Sequence, residues 1–471
     1  MRPHSLPSDI WISVLQYLSV GELANLSSAA KYFHALIHEY GWKLYLRNTP
    51  RKTWSLFKSM QLWSAHASVR YHTEVDRNWA RPHFVARPLS SKWQGKLQPQ
   101  MAINKSRLFV AAGSTIYSYT FGHSDEGRTP GIQFECAYMT HKVVQASRDI
   151  TSIQCVPDGG FDRTVYVGYA DGTLERIVLP ACKLGAPPAV IHLESNHREK
   201  RPYHGTDIVE SISANKHHLL SLSCNGFAAF FTDSGTDSPP QFLELNVRGW
   251  TTHLSDRYAF LGTSSLTPLM VYTINESRLS AQPAHVLTSS THDDRPRASA
   301  VYGISSAPPS SPWGSSDRVV LSGWYDGVVN VHDLRSARRD GAGALYPVMS
   351  MCDPWLPEPI YDVTAGGSSG CHVAAGTARH SLVAFWDVRA ARRGWSVHAP
   401  GNDPSPVYSV VLESSRLFGA TQSRPFVLDF GPGARADVYP QLTRPPKEEG
   451  LKKRDGSGVG FYVTRYGHSR A

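Results

Sequence analysis

No run of apolar residues in this sequence approaches the eighteen or so that a membrane-spanning helix requires, which excludes helical membrane spans. Cysteine is scarce. The six, at positions 136, 155, 182, 224, 352 and 371, form no C-x-x-C pair and no regular spacing. That pattern predicts reduced thiols, with neither a zinc site nor a disulfide framework. Met1 to Trp11 lacks the charged and apolar regions of a secretory signal, so an intracellular chain, cytoplasmic and/or nuclear, is expected. On that expectation the N-x-S matches at Asn25, Asn104 and Asn275 are chance.

Catalytic signatures are missing as well. No phosphate-binding glycine loop, zinc-protease helix or carboxylate pair stands in a supporting context. Gly366-Gly367-Ser368-Ser369-Gly370 matches G-x-S-x-G, but it lies between two predicted strands, whereas a nucleophile elbow needs a strand-to-helix turn. The 21 histidines are dispersed. No catalytic residue, cofactor or metal ligand is therefore expected, and the chain reads as a non-enzyme. Charged residues make up only 18% of the sequence, and the formal charge of +9 is scattered. This serves solubility and is compatible with an acidic partner, but it forms no nucleic-acid stripe.

What is present is core material: 41% hydrophobic and 11% aromatic residues over a length of 471. It falls into two textures. Leu6 to Leu46 is helical by pattern, with Ile10, Trp11, Val14, Leu15 and Leu18 on one stripe. Ser19-Val20-Gly21-Glu22 is a capping box, and the helix it opens carries Leu23, Leu26, Ala30, Phe33 and Ile37, with a bend near Lys31. About forty residues seldom bury enough surface to fold alone, so this unit needs a partner surface.

The unit resembles an F-box. The matching residues are Leu6-Pro7, Ile10, Leu15, Leu18, Leu23, Leu26, Lys31-Tyr32-Phe33, Leu36 and Trp42. Ala29-Ala30 and Gly41 depart from the usual Val-Cys and Leu. The resemblance implies docking of a Skp-type adaptor and, through it, a cullin, with Leu6, Pro7, Ile10, Leu15, Leu18, Leu23, Leu26, Phe33 and Trp42 as the adaptor-binding residues. An ordinary helical hairpin packed on its neighbour is the alternative.

After a stretch rich in tryptophan, lysine and serine (Trp54, Phe57, Leu62, Trp63), the texture changes near Arg81 to short β-branched and aromatic runs punctuated by Gly, Ser, Pro and Asp. Seven times an apolar strand meets a small-residue break and then a second strand. The breaks begin at Gly113, Gly168, Ser223, Gly262, Gly323, Gly376 and Gly419, with spacings of 55, 55, 39, 61, 53 and 43. Upstream strands start near Ile150, Ile208, Trp250, Val301, Ile360 and Val407, and fourth strands include Ile132–Met139 and 189–193. Four strands per unit, repeated, predict a β-propeller.

Phe385-Trp386-Asp387, Val331-His332-Asp333 and the Asp171-Gly172 and Asp326-Gly327 turns resemble WD40 repeats, although most units lack the Gly-His start and the Trp-Asp end. The fold expected is mainly β: a WD40-type β-propeller of seven blades, with six or eight as alternatives, preceded by a small all-α F-box unit. The divisions are 4–48 (F-box), 49–80 (helical linker), 81–431 (propeller) and 432–471 (C-terminal tail). His83–Val85 and Gly460–Tyr466 are the candidates for the strand that closes the ring. Lys452-Lys453-Arg454 reads as part of a solvated tail.

Loops at one end of such a ring hold Arg148, Arg248, Arg297, Arg379 and Arg424, with Tyr169, Trp324, Tyr325 and His380. Arginines there would grip carboxylate or phosphate, and the aromatics the apolar part of a peptide. The F-box/WD-repeat resemblance, closest in layout to proteins of the dactylin type, implies the same use. It makes the chain the substrate-recognition adaptor of a cullin-RING ubiquitin ligase, with an acidic or phosphorylated protein substrate. A non-ligase interaction scaffold, or more remotely a propeller enzyme, are the competing readings.

Overall fold

The computed structural model describes residues 6–141, 146–182, 189–233, 239–289, 297–309, 314, 316–401, 403–442 and 450–469. Helices come first: α1 (Ser8–Leu15), α2 (Val20–Ala29), α3 (Lys31–Leu36), a π-helical turn at Ile37–Gly41, α4 (Trp42–Asn48), α5 (Phe57–Met60) and α6 (Ala65–Ala80). The capping box forms as the sequence predicts. The Ser19 amide donates to the Glu22 carboxylate at 2.8 Å, and the Glu22 amide to Ser19 Oγ at 3.4 Å. The helix ends at Ala30, whose extended backbone makes the break before Lys31. Leu15, Leu23, Phe33, Leu36, Ile37 and Trp42 then pack with Val69 of α6 into one small core.

The strands follow. β1 (Val85–Pro88) precedes a first unit of β2 (Gln100–Ile103), β3 (Arg107–Ala112), β4 (Thr115–Phe121) and β5 (Ile132–Met139). The second unit is β6 (Ile150–Cys155), β7 (Thr164–Tyr169), β8 (Leu174–Val178) and, after β9 (Ala189–His192), β10 (Arg198–Arg201). The third is β11 (Val209–Asn215), β12 (His218–Ser223), β13 (Phe227–Thr232) and β14 (Gln241–Glu244). The fourth is β15 (Arg248–Leu254), β16 (Tyr258–Ser265), β17 (Leu269–Asn275), the short β18 (Arg278–Leu279) and β19 (His285–Leu287). Next come β20 (Ser299–Ser306), β21 (Val319–Trp324), β22 (Val328–Asp333) and β23 (Met349–Cys352), then β24 (Ile360–Gly366), β25 (His372–Thr377), β26 (Leu382–Asp387) and β27 (Trp395–His398). The last unit is β28 (Val407–Leu412), β29 (Arg416–Thr421) and β30 (Pro425–Asp429), with β31 (Arg465–Gly467) near the end of the chain.

The strands of each unit pair antiparallel, the fourth and fifth units being joined into one sheet where β16 meets β20, and the first strands β2, β6, β11, β15, β20, β24 and β28 stand beside one another in that cyclic order, β28 returning to β2. This is a propeller layout of seven blades. Of the two candidate closing strands, the ring uses the N-terminal one. β1 pairs with β30, Val85 opposite Asp429 and Pro88 opposite Phe426. Arg465–Gly467 instead adds a fifth strand outside β27.

Two expectations are corrected. Ala189–His192 is not the outer strand of the second blade; it runs parallel to β5 on the first, and β10 takes the second blade's edge. A disulfide lies beside this pairing: Cys136 on β5 is bonded to Cys182 just after β8. Two of the six cysteines are therefore paired, against the expectation of reduced thiols throughout.

The small-residue breaks are also of two kinds. Gly113 sits in a turn with φ +58°, but Gly168, Gly323 and Gly376 lie inside the second strands. There the next blade leans in. A Cβ on Gly168 would come within 2.6 Å of Val209, and one on Gly323 within 2.5 Å of Ile360. These glycines seat the first strand of the following blade.

The helical segment is built into the ring. Tyr71, Val75 and Trp79 of α6 share a core with Phe385, Val410, Leu417 and Phe430. Trp63 donates from Nε1 to the Ser124 carbonyl at 3.2 Å. The stretch between α4 and α5 crosses one end of the central opening. Lys52 Nζ donates to the Ala365 carbonyl at 2.9 Å, and the Ser414 amide to the Lys52 carbonyl at 2.7 Å. Burial pushes the Lys52 ammonium down to about 8. The tail described from Gly450 is likewise held, with the Phe461 amide on the Ala86 carbonyl at 2.9 Å. Of the C-terminal tail expected over 432–471, residues 443–449 and 470–471 lie outside the described residues.

Candidate binding site at the open end of the ring

The end of the opening away from Lys52 is lined by a repeated backbone irregularity. In six first strands the ladder to the second strand skips one residue: Thr151, Glu210, Trp250, Tyr302, Tyr361 and Tyr408. A bulge of this kind leaves its extra residue unpaired and re-aims the side chain. All six line one cavity of about 630 Å³, together with Gln100, Asp149 and Arg248.

The four aromatics, on consecutive blades, form an arc. Trp250 meets Tyr302 edge-on with ring centroids 4.8 Å apart; Tyr302 meets Tyr361 edge-on at 5.7 Å; Tyr361 and Tyr408 are nearly parallel at 5.6 Å. Two acids line the same cavity. Desolvation raises Asp149, whose carboxylate has no hydrogen-bond or ion-pair partner among the described residues. Desolvation also raises Glu210, while Arg248 pulls it the other way at 2.5 Å. The Arg248 guanidinium stacks over Trp250, 4.2 Å from the ring centre. Behind Tyr361, Asp362 is pushed up to about 7 by burial, despite accepting from the Val410 and Val363 amides at 2.8 Å each.

The arginine ring expected from the sequence does not assemble. Of its members, Arg248 alone lines this cavity. Arg424 is 1% exposed, and Tyr169 and Trp324 are fully buried. Tyr169 reaches Glu175 at 3.2 Å, and Trp324 donates to Ser322 Oγ at 2.9 Å. These three are core residues because the ends of the second strands, and the turns behind them, are covered by the neighbouring blade. Arg148 is ion-paired to Asp171 at 2.7 Å. Arg379 is exposed, 3.6 Å from Glu358. Arg297, Trp324 and Tyr325 border a separate cavity of about 700 Å³ between the fourth and fifth blades.

The residues of the opening carry a signal that a strand-by-strand alignment reads. Val209-Glu210-Ser211-Ile212, Val301-Tyr302-Gly303-Ile304, Ile360-Tyr361-Asp362-Val363 and Val407-Tyr408-Ser409-Val410 share two core positions flanking a variable residue and a mostly small one. The variable residue is the one that faces the channel.

In the helical unit the predicted adaptor-binding set divides in three. Leu6, Pro7 and Ile10 are exposed, joined by Val14 at 39% and Tyr17 at 82%. Leu18 and Leu26 are half-buried. Leu15, Leu23, Phe33 and Trp42 are buried in the unit's own core, so they shape the surface without touching a partner. Among the described residues one grouping has metal-ligand types, Cys371, His372 and Asp387. Arg389 already holds both Asp387 oxygens, at 2.9 and 2.6 Å, and His372 lies against Trp79. That group is structural.

No family model and no characterised protein sequence matches the chain. Solved structures do resemble it at low identity. One is Chaetomium thermophilum Sqt1 bound to the N-terminus of the ribosomal protein L10, with 14% identity and TM-score 0.48, over 70% of this chain and 81% of that one. Another is U3-55K, with 14% identity and TM-score 0.49, over 73% and 98%. A third is the computationally designed Ika8 protein, with 15% identity and TM-score 0.46, over 73% and 99%.

Proposed function

We propose that the chain is a non-catalytic interaction scaffold whose WD40-type ring binds a segment of a partner protein at the open mouth of its central channel. The observation that carries this reading is the repeated bulge: one side chain per blade, from six strands, is turned into a single cavity. Concave sites lined by aromatics with a few polar groups are the ones that hold ligands. Lys52 and its neighbours occupy the other end. The test is capture of partners from a lysate by the intact chain and by Tyr361→Ala with Tyr408→Ala. Partners specific to the intact chain should be lost from the double variant at unchanged melting temperature; equal recovery by both would remove the mouth from the reading.

A second reading concerns the helical unit. Leu6, Pro7, Ile10, Val14 and Tyr17 present apolar surface that is exposed among the described residues. Together with the F-box resemblance, that surface supports docking of a Skp-type adaptor. The chain would then be the substrate receptor of a cullin-RING ubiquitin ligase, contributing proximity rather than chemistry. Co-purification of the adaptor with the intact chain, abolished by Ile10→Glu with Val14→Glu, is the expected result. An intact chain that recovers no adaptor, beside an F-box protein that does, would leave the scaffold reading alone.

A further inference from the structure

Four aromatic rings and two carboxylates line one cavity at the mouth of the channel, and that combination selects the sign of the charge it accepts. We propose that the mouth binds a basic side chain, arginine above lysine, presented by a peptide segment of the partner. This rests on the reading of the mouth as the partner-binding site, and it replaces the acidic or phosphorylated segment that an arginine ring would have held.

The faces of tryptophan and tyrosine rings are electron-rich and attract cations, more strongly as water is excluded. Trp250, Tyr302, Tyr361 and Tyr408 make a continuous wall of such rings. In the same cavity Asp149 and Glu210 are both raised by loss of water, and Asp149 has no ion-pair partner among the described residues. A carboxylate in that condition is stabilised by an incoming positive charge and opposed by an incoming negative one.

The chain itself contains a small-scale version of the complex. Arg248 lays its guanidinium over Trp250 at 4.2 Å and directs Nη2 to Glu210 at 2.5 Å. A partner's arginine can repeat the pattern farther round the ring, stacking on Tyr361 or Tyr408 with Asp149, in the same cavity, as its carboxylate. Arginine is favoured over lysine because a planar guanidinium stacks and hydrogen-bonds at once, which a strongly hydrated ammonium does less well. The two cations that line the cavity among the described residues do not reverse this. Arg248 is engaged by Glu210, and Lys96 stands in the loop leading to β2. At the far end Lys52 repels a cation that would pass through, so the channel is a blind pocket for a side chain rather than a conduit.

The test uses the intact chain against arrays of twelve-residue peptides, randomised on both sides of a central arginine, lysine, citrulline, glutamate or phosphoserine. Hits are then measured by fluorescence anisotropy. Arginine-centred peptides are expected to bind, and replacement by citrulline, which keeps the shape and removes the charge, should weaken them at least ten-fold. Asp149→Asn, at a carboxylate with no hydrogen-bond or ion-pair partner among the described residues, should weaken them several-fold, and Tyr361→Ala at least ten-fold. Glutamate or phosphoserine peptides that bind as well as arginine ones and still depend on Tyr361 would overturn the charge assignment while leaving the mouth as the site. Peptides that bind with no dependence on Tyr361 or Asp149 would overturn both, and so would silence from every class.

Discussion

Trp79 lies flat on Phe430, their ring centroids 3.7 Å apart and their planes 10° from parallel. The contact joins the last turn of α6 to the residue just after β30, and Trp79 Nε1 donates to the Ser414 carbonyl at 2.9 Å beside it. The first helices are therefore fastened to the blade that closes the ring. Because β1 follows α6 directly, the same contact sets the direction in which the closing strand enters.

Truncation of this tryptophan removes a buried ring and a hydrogen bond together. Trp79→Ala is expected to lower stability by about 3–5 kcal/mol, the usual range for a large aromatic in a core. In urea unfolding followed by circular dichroism, the midpoint should fall while helix and strand signals still melt together. A helical transition that separates from an unshifted strand transition would show that the two parts fold independently.

Glu413 makes stability depend on pH. It is fully buried and accepts from the Ser55 amide at 2.9 Å and from the Ser55 hydroxyl. Desolvation pushes its carboxyl up to about 7, with Arg416 acting against the shift. A folded value above the unfolded one, near 4.3, means that the fold favours the protonated acid. That contribution is complete below about pH 4 and is lost as pH rises through about 7. Glu413→Gln keeps the shape and cannot ionise. Its melting temperature relative to the native chain should therefore rise between pH 5 and pH 8, and a constant difference across that range would refute the assignment.

Much of the architecture could be read from residue order, and the failures have physical causes. Alternation of apolar and small residues marks the strands because each blade packs both faces against its neighbours. The glycines were visible too, but their role was not: whether Gly168 makes a turn or receives Val209 depends on the adjacent blade, some forty residues away. For the binding face, arginine in a predicted loop says nothing about whether the loop is covered. Arg424 and Arg379 look alike in sequence, yet one is 1% exposed and the other has a side chain 71% exposed. The bulged residues escaped notice because a bulge shifts the two-residue alternation by one, so Tyr361 and Tyr408 read as ordinary strand positions.

Charge reversal at those two arginines separates burial from binding. Arg424 is enclosed, with Gly401 so close that a Cβ there would stand 3.6 Å from Nε. Arg424→Glu puts an unpaired anion into a buried position, a change that costs about 3–5 kcal/mol when the site cannot reach water. Arg379→Glu alters an exposed side chain whose neighbour, Glu358, is 3.6 Å away, and surface pairs of this kind contribute roughly 0–1 kcal/mol. Thermal unfolding should therefore show a large fall in melting temperature for Arg424→Glu and almost none for Arg379→Glu. A binding loss seen only with Arg424→Glu would follow from unfolding rather than from a missing contact. An Arg424→Glu chain that melts like the native one, yet loses its partner, would return that arginine to the binding surface.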